Sequence, residues 1–260
     1  MDITKFVEGI ASRGRYHFTT EEARKALGVS YVAARAAIQR LRRKGGVAMP
    51  YRGFNVVVPP EYRRLGCLPA DQFIPQLMGH LGLHYYVGLL SAAEIHGAAH
   101  QRPQVFQVVV AANRPHIRCG EVRVQFVARR NAGEIPTVTK NTPRGYARVA
   151  STEATAFDLV GYAQHCGGLS NVSTVLLELA ESLKPEEIVR IAPLSPVPWA
   201  QRLGYLLETA GATAVTEPLA KHVARVAREY IPLNPKRGQR SRERSNRWKL
   251  IVNDTVEPDL

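Results

Sequence analysis

Residues 19–46, TTEEARKALGVSYVAARAAIQRLRRKGG, constrain the fold more than any other stretch of the chain. Thr19-Thr20-Glu21-Glu22 has the form of a capping box. The Thr19 hydroxyl takes an orphan amide at the start of a first helix, and Glu22 reaches back to the Thr19 amide. Gly28 tolerates the positive φ at which that helix must stop, and Ser30 caps the next one. A second helix then runs to Lys44, where Gly45-Gly46 ends it. Two short capped helices joined by a tight turn are the pattern of a helix-turn-helix, whose second helix can lie in the DNA major groove.

The faces of that second helix divide the residues by role. Ala34, Ile38 and Leu41 recur at helical spacing and point to a core. Tyr31, Arg35, Gln39 and Arg42 share another face, and each can donate a hydrogen bond to a base edge or a phosphate. Arg42, Arg43 and Lys44 join Arg40 in a cationic C-terminal tip, favourable for the helix dipole and for a polyanion. The alternative is a solvated basic helix on an ordinary small bundle. Upstream, Ile3, Phe6, Val7 and Ile10 form the stripe of a preceding helix. Downstream, residues 46–49 and 54–58 read as strands around a Pro50-Tyr51-Arg52-Gly53 turn. Helix, helix, helix, hairpin is the order of a winged helix, with Tyr51 and Arg52 at the wing tip. Pro59-Pro60 then breaks the chain, which predicts a DNA-binding module over residues 1–66.

Charge is distributed to match. Residues 1–65 hold 13 Lys/Arg against 5 Asp/Glu, residues 66–150 hold 9 against 4, and residues 151–200 hold 2 against 6. The cationic excess therefore concentrates on the helix-turn-helix, where a nucleic-acid partner would need it. No apolar run approaches the ~20 residues of a membrane span. The first residues read as an amphipathic helix rather than a signal peptide, so the expected location is the cytoplasm. Cys67, Cys119 and Cys166 are far apart and odd in number, which predicts neither a disulfide framework nor a Cys-based zinc site.

Residues 67–260 read as one larger α+β domain. Residues 69–100 suggest two helices split near Gly79–Gly82. Residues 105–111 are nearly all apolar, as in a strand buried on both faces. Residues 122–126 alternate, as on a sheet with one wet face, and residues 135–139 and 146–149 could extend that sheet. Helical stripes follow: Ala156, Leu159, Val160 and Ala163, ended by Gly167-Gly168; Val172, Val175, Leu176 and Leu179; a helix begun by Pro185; Ala200, Leu203 and Leu207; and Leu219, Val223, Val226 and Tyr230. A basic loop over 235–247 leads to a closing strand over 248–252.

No catalytic constellation emerges. His80 and His84, and separately His96 and His100, have i, i+4 spacing, but Gly82 and Gly97 interrupt the helices and neither pair encloses the Glu of a zincin motif. Ser91, Glu94 and His96 lack a nucleophile elbow. The glycines fit neither a P-loop nor a dinucleotide fingerprint. The acids from Glu153 to Glu187 read as exposed helix faces, and therefore as a surface for protein rather than DNA. No cofactor, metal or enzymatic activity is expected.

Several segments resemble the AbiEi family, the antitoxin half of abortive-infection toxin–antitoxin pairs. They are residues 85–93 (YYVGLLSAA), 96–100 (HGAAH), 104–109 (QVFQVV), 151–160 (STEATAFDLV), 167–172 (GGLSNV) and 201–207 (QRLGYLL), with Arg247-Trp248 and Val252-Asn253 at the end. The resemblance implies an N-terminal winged helix that binds inverted repeats in its own promoter, and a C-terminal domain that helps neutralise a nucleotidyltransferase-type toxin, with or without direct contact. It also implies DNA contact at Tyr31, Arg35 and Gln39, with Arg42, Arg43, Lys44 and Arg52 on the backbone. Inverted repeats call for two copies of the chain, as a dimer or as cooperative monomers. The competing readings are an ordinary winged-helix regulator whose second domain senses a ligand or oligomerises, and a DNA-processing enzyme.

Overall fold

The structure is a computed structural model that describes residues 2–98, 103–238 and 243–256. Its backbone groups into two compact units. One comprises residues 1–86, 104–130 and 139–148, and the other residues 87–103, 131–138 and 149–260.

In the first unit, α1 (Ile3–Ala11), α2 (Thr20–Leu27) and α3 (Tyr31–Arg43) stand beside a small antiparallel sheet. That sheet contains β1 (His17–Thr19), β2 (Val47–Tyr51) and β3 (Phe54–Val57) in the order β1-β3-β2. Ile3, Val7 and Ile10 of α1 meet Ala23, Ala37, Ile38, Phe18, Val47 and Val57 in one core. The winged-helix order expected from sequence is present, with two changes. Three residues, too few to show an alternating pattern, form β1, and its register pairs Phe18 with Asn55. Pro50 and Tyr51 belong to β2 rather than to the turn. The ladder shifts register between Ala48 and Tyr51, and this irregularity accommodates a proline that has no amide to offer. The turn is therefore only Arg52-Gly53, with Gly53 at φ +79°, and Tyr51 packs inward while Arg52 is exposed.

Side chains alternate across a strand, and β3 is covered on both sides. Val57 joins the helical core, whereas Phe54, Val56 and Val58 enter a second core with Phe73, Leu77, Val108, Val124 and Phe126. This core rests on α4 (Ile74–Leu81) and on β4 (Tyr85–Val87), β5 (Phe106–Val110), β6 (Ile117–Cys119) and β7 (Val122–Ala128). With β8 (Thr137–Thr142) and β9 (Gly145–Ala150) these strands make a six-stranded sheet in the order β6-β7-β5-β4-β9-β8. β5 and β7 are parallel, and β5 is buried nearly throughout, as its apolar run predicts. The region expected to hold only two helices also contains β4, because Gly82 ends α4 at φ +64° and an extended stretch follows.

The second unit is mainly helical: α5 (Leu89–Ile95), α6 (Thr152–Gly161), α7 (Leu169–Leu179), α8 (Pro185–Ile191), α9 (Val197–Thr209) and α10 (Thr213–Val226). Pro185 occupies the first turn of α8 with Glu186 and Glu187, as read from sequence. The α6 stripe does not survive: every residue from Glu153 to Val160 is buried, because α5, α7, α8 and α9 surround the helix. It also ends at Gly161 instead of running to Gly167. The last stripe stops short of Tyr230, since Ala227 is extended. In place of a single closing strand, β10 (Ile231–Pro232), β11 (Arg244–Ser245) and β12 (Leu250–Ile251) form a small sheet in the order β10-β12-β11.

The segments that carry the family resemblance near the C-terminus have structural work. A Cβ on Gly204 would lie 2.0 Å from the Trp248 ring, so the glycine makes room for that buried indole. Trp248 donates its ring N–H to Glu208 at 2.6 Å, and Gln201 donates to the Trp248 and Lys249 carbonyls at 3.1 and 3.0 Å. Arg247 pairs with Glu208 and Glu217 at 3.2 and 2.8 Å.

Candidate nucleic-acid interface

Local chemistry fixes the orientation of α3. The Thr19 hydroxyl accepts the Glu22 amide at 3.1 Å, and Glu22 accepts the Thr19 amide at 2.7 Å, closing the capping box. Burial alone would push the Glu22 carboxyl up. The Thr19 amide and the Arg15 guanidinium outweigh it and hold the group below its ordinary value. Gly28 sits at φ +66° and the Ser30 hydroxyl accepts the Ala33 amide at 3.2 Å, so the turn is built as the sequence specifies. Ala34 and Ile38 are buried, Ala37 joins them, and Leu41 is partly buried against the same core. That anchoring leaves the opposite face of α3 to solvent.

A groove of about 350 Å³ runs between that face and the wing. It gathers Tyr31, Arg35, Gln39 and Arg42 from α3 with Arg52 from the wing. Thr20 donates its amide to the Gly53 carbonyl at 2.9 Å, which ties the wing turn to the start of α2. Arg42 donates to the Gln39 side-chain oxygen at 3.1 Å, so these two side chains are already oriented together. Arg43 and Lys44 are exposed at the C-terminal end of α3 and do not line the groove. The structure thus brings together five of the seven residues singled out by sequence.

Two further groove residues were missed. Val32 is 75% exposed, the most exposed large apolar side chain among the described residues. Its signal was available, since it falls next to Tyr31 and outside the Ala34–Ile38–Leu41 stripe. Asn55 of β3 is fully buried, and its Oδ1 has no hydrogen-bond partner. It lines the same groove, while its Nδ2 faces the Phe18 carbonyl and the Thr20 hydroxyl at 3.5 and 3.4 Å. No sequence signal marks it, because Asn in a strand declares its environment only once the neighbours are known. Behind the groove, His17 stacks on Phe54 at 5.7 Å. Burial, then the Arg15 charge, push its imidazole below the ordinary value, with His80 adding to this and Glu22 opposing it.

The other candidates separate. His80 lies on α4 against Phe54 at 5.6 Å, and His84 follows the helix-ending Gly82. His96 lies 2.7 Å from the Ala150 carbonyl through Nε2, and His100 lies outside the described residues. Ser91 is buried within α5. Among the described residues no three His, Cys, Asp or Glu side chains gather in a way that could hold a metal ion, and no helix is long and apolar enough to cross a membrane.

The acidic stretch is corrected. Glu153 and Asp158 are buried rather than exposed, because both belong to the enclosed α6. Glu153 accepts the Lys184 amide at 3.2 Å, just before α8 begins. Glu181 and Glu186 remain exposed.

Comparison with known proteins places part of the chain. Residues 86–209 match the model of the AbiEi antitoxin C-terminal domain, a regulatory rather than catalytic family. The crystal structure of the RV2827C protein from Mycobacterium tuberculosis has the same fold. It aligns with a TM-score of 0.66 over 95% of this chain and 89% of that one, at 17% sequence identity. No curated protein matches the sequence. The enclosed α6, the Gly204 seat up to Leu207 and most of the described helices of the second unit fall inside the matched segment, and on that match the chain carries an antitoxin domain of the AbiEi family over residues 86–209.

Proposed function

We propose that this antitoxin also represses its own operon, binding double-stranded DNA through residues 1–66 and opposing a nucleotidyltransferase-type toxin through residues 67–260. The observation that supports the DNA half is the convergence of Tyr31, Arg35, Gln39 and Arg42 with Arg52 on one groove, beside a cationic helix end. The AbiEi match supports the antitoxin half.

Arg43, Lys44 and Arg52 neutralise phosphates and release counterions, so affinity falls as salt rises. Arg35 and Gln39 read base edges, and Val32 offers an apolar contact suited to a thymine methyl group. Operator half-sites arranged as inverted repeats engage two copies of the chain, as a dimer or cooperatively. The compartment is the cytoplasm, where promoter and toxin are both found. The acids still exposed, Glu181 and Glu186, contribute to a surface for protein rather than for DNA.

The test combines promoter footprinting with rescue of cells that express a nucleotidyltransferase-type toxin encoded beside this gene. Protection of inverted repeats together with rescue is the expected result. Protection without rescue by the full chain would make it an ordinary regulator. Metal-dependent cleavage of the duplex would make it a DNA-processing enzyme.

A further inference from the structure

Cys67 and Cys119, far apart in sequence, meet in the first unit. The segment after β3 crosses the β6–β7 turn so closely that Glu121 donates its amide to the Leu65 carbonyl at 2.8 Å. A Cβ on Gly66 would lie 3.2 Å from the Gly120 Cα, and one on Gly120 would lie 2.0 Å from the Leu65 carbonyl oxygen. Both glycines have positive φ, +67° and +58°. The two backbones therefore touch one residue away from each cysteine. Cys67 is fully buried, Cys119 is partly accessible at the margin of the same core, and both are free thiols. The two thiols lie close enough to act on one another's ionisation, and the Met49 amide of β2 and the Arg42 charge act on Cys119 as well.

We propose that Cys67 and Cys119 are a reversible redox pair, converted by a hydroperoxide into an intramolecular disulfide that links the segment after β3 to the β6–β7 turn. The close backbone crossing fits the short Cα separation that a disulfide requires, about 4.4–6.8 Å. The two sulfurs have distinct roles. The neighbouring Cys67 thiol, then the Met49 amide and the Arg42 charge, hold the Cys119 thiol below its ordinary value against the effect of burial. The proximity of Cys119, with burial, pushes the Cys67 thiol up. Cys119 is thus the attacking thiolate and Cys67 the resolving thiol.

In the first step the Cys119 thiolate attacks one oxygen of hydrogen peroxide. The O–O bond breaks, leaving Cys119 sulfenic acid and hydroxide. The Cys67 sulfur then attacks the Cys119 sulfur, its proton passes to the departing hydroxyl, and water leaves as the S–S bond forms. Two thiols have lost two electrons, and one peroxide, with the two thiol protons, has become two waters. A dithiol reductant reverses the link. Cys166 serves as the internal control, since it is fully buried and its thiol is pushed up by burial and then by the Asp158 charge.

The pairing stands independently of the DNA-binding reading. The test exposes the native full chain to hydrogen peroxide, denatures it in the presence of an alkylating agent and maps the peptides by mass spectrometry. The expected wild-type product has a Cys67–Cys119 crosslink, alkylated Cys166 and full recovery of all three thiols after dithiothreitol. Cys67→Ser is expected to stop at a dimedone-reactive sulfenic acid on Cys119, and Cys119→Ser to give no intramolecular crosslink. Three alkylatable thiols in oxidised wild type, or a crosslink that uses Cys166, would overturn the proposal without reference to either variant.

Discussion

The basic helix α3 and the acidic run that begins in α6 treat their charges in opposite ways. α3 presents Arg35, Gln39 and Arg43 to solvent, because Ala34, Ala37 and Ile38 take up its buried face and leave a wide polar one. The acidic run that begins in α6 instead draws two of its carboxylates inside, with Glu153 on the Lys184 amide and Asp158 fully buried. Net charge counts both regions equally, yet only the first is a charged surface along its length. What separates them is enclosure: a helix packed on one side sorts its residues by face, whereas one packed on all sides cannot. A carboxylate inside such a helix persists only when it is hydrogen-bonded.

The largest effect expected on this contrast comes from the enclosed side. Trp248→Ala removes the indole seated on Gly204 and its hydrogen bond to Glu208, and should cost about 3–5 kcal/mol of stability. Denaturant unfolding measures it; a loss well under 1 kcal/mol would mean that the second unit is not packed as described. Glu153→Ala strips the Lys184 amide of its acceptor and should cost about 1–3 kcal/mol. Arg43→Ala, at the exposed end of α3, should stay within about 0.5 kcal/mol. Equal costs at the two sites would erase the distinction between internal acids and surface bases. Thr19→Ala breaks the capping box that aims the helix pair and should cost roughly 1 kcal/mol; an unchanged melting curve would show that the cap does not support the turn.

The smallest effect is one of pH. Folding lowers the His17 pKa, so the neutral ring is favoured in the folded state. Its contribution is complete above the ordinary histidine value of 6.5 and is lost as pH falls toward and through the lower folded value. His17→Phe, which keeps a ring on Phe54, should flatten the decline in stability below that point. His222, also lowered by burial and then by Arg225, leaves a residual slope. A variant with the wild-type slope would remove His17 from the account.

How much was legible follows the same division. The α2 and α3 caps, the core face of α3 and the groove face of Tyr31, Arg35, Gln39 and Arg42 are local features, set by spacing within a few residues. β1 was hidden because three residues cannot alternate visibly. The extent of β2 was hidden because Pro50 signals a turn just as readily as a strand irregularity. The enclosure of α6, the seat of Trp248 on Gly204 and the meeting of Cys67 with Cys119 depend on partners distant in sequence, and no period of two or 3.6 encodes them. Val32 was within reach, since an apolar residue off the core stripe of a capped helix needs a partner outside the chain or an exposed place on it.

The central claim is that the exposed face of α3, with the wing, reads DNA sequence. It is tested most directly by titrating full-length wild type and Arg35→Ala against a promoter duplex and a scrambled duplex, by fluorescence anisotropy across a salt series. The account predicts that Arg35→Ala loses about 1–3 kcal/mol on the promoter duplex and much less on the scrambled one. Equal losses on the two duplexes, or no wild-type affinity for either at modest ionic strength, would contradict it.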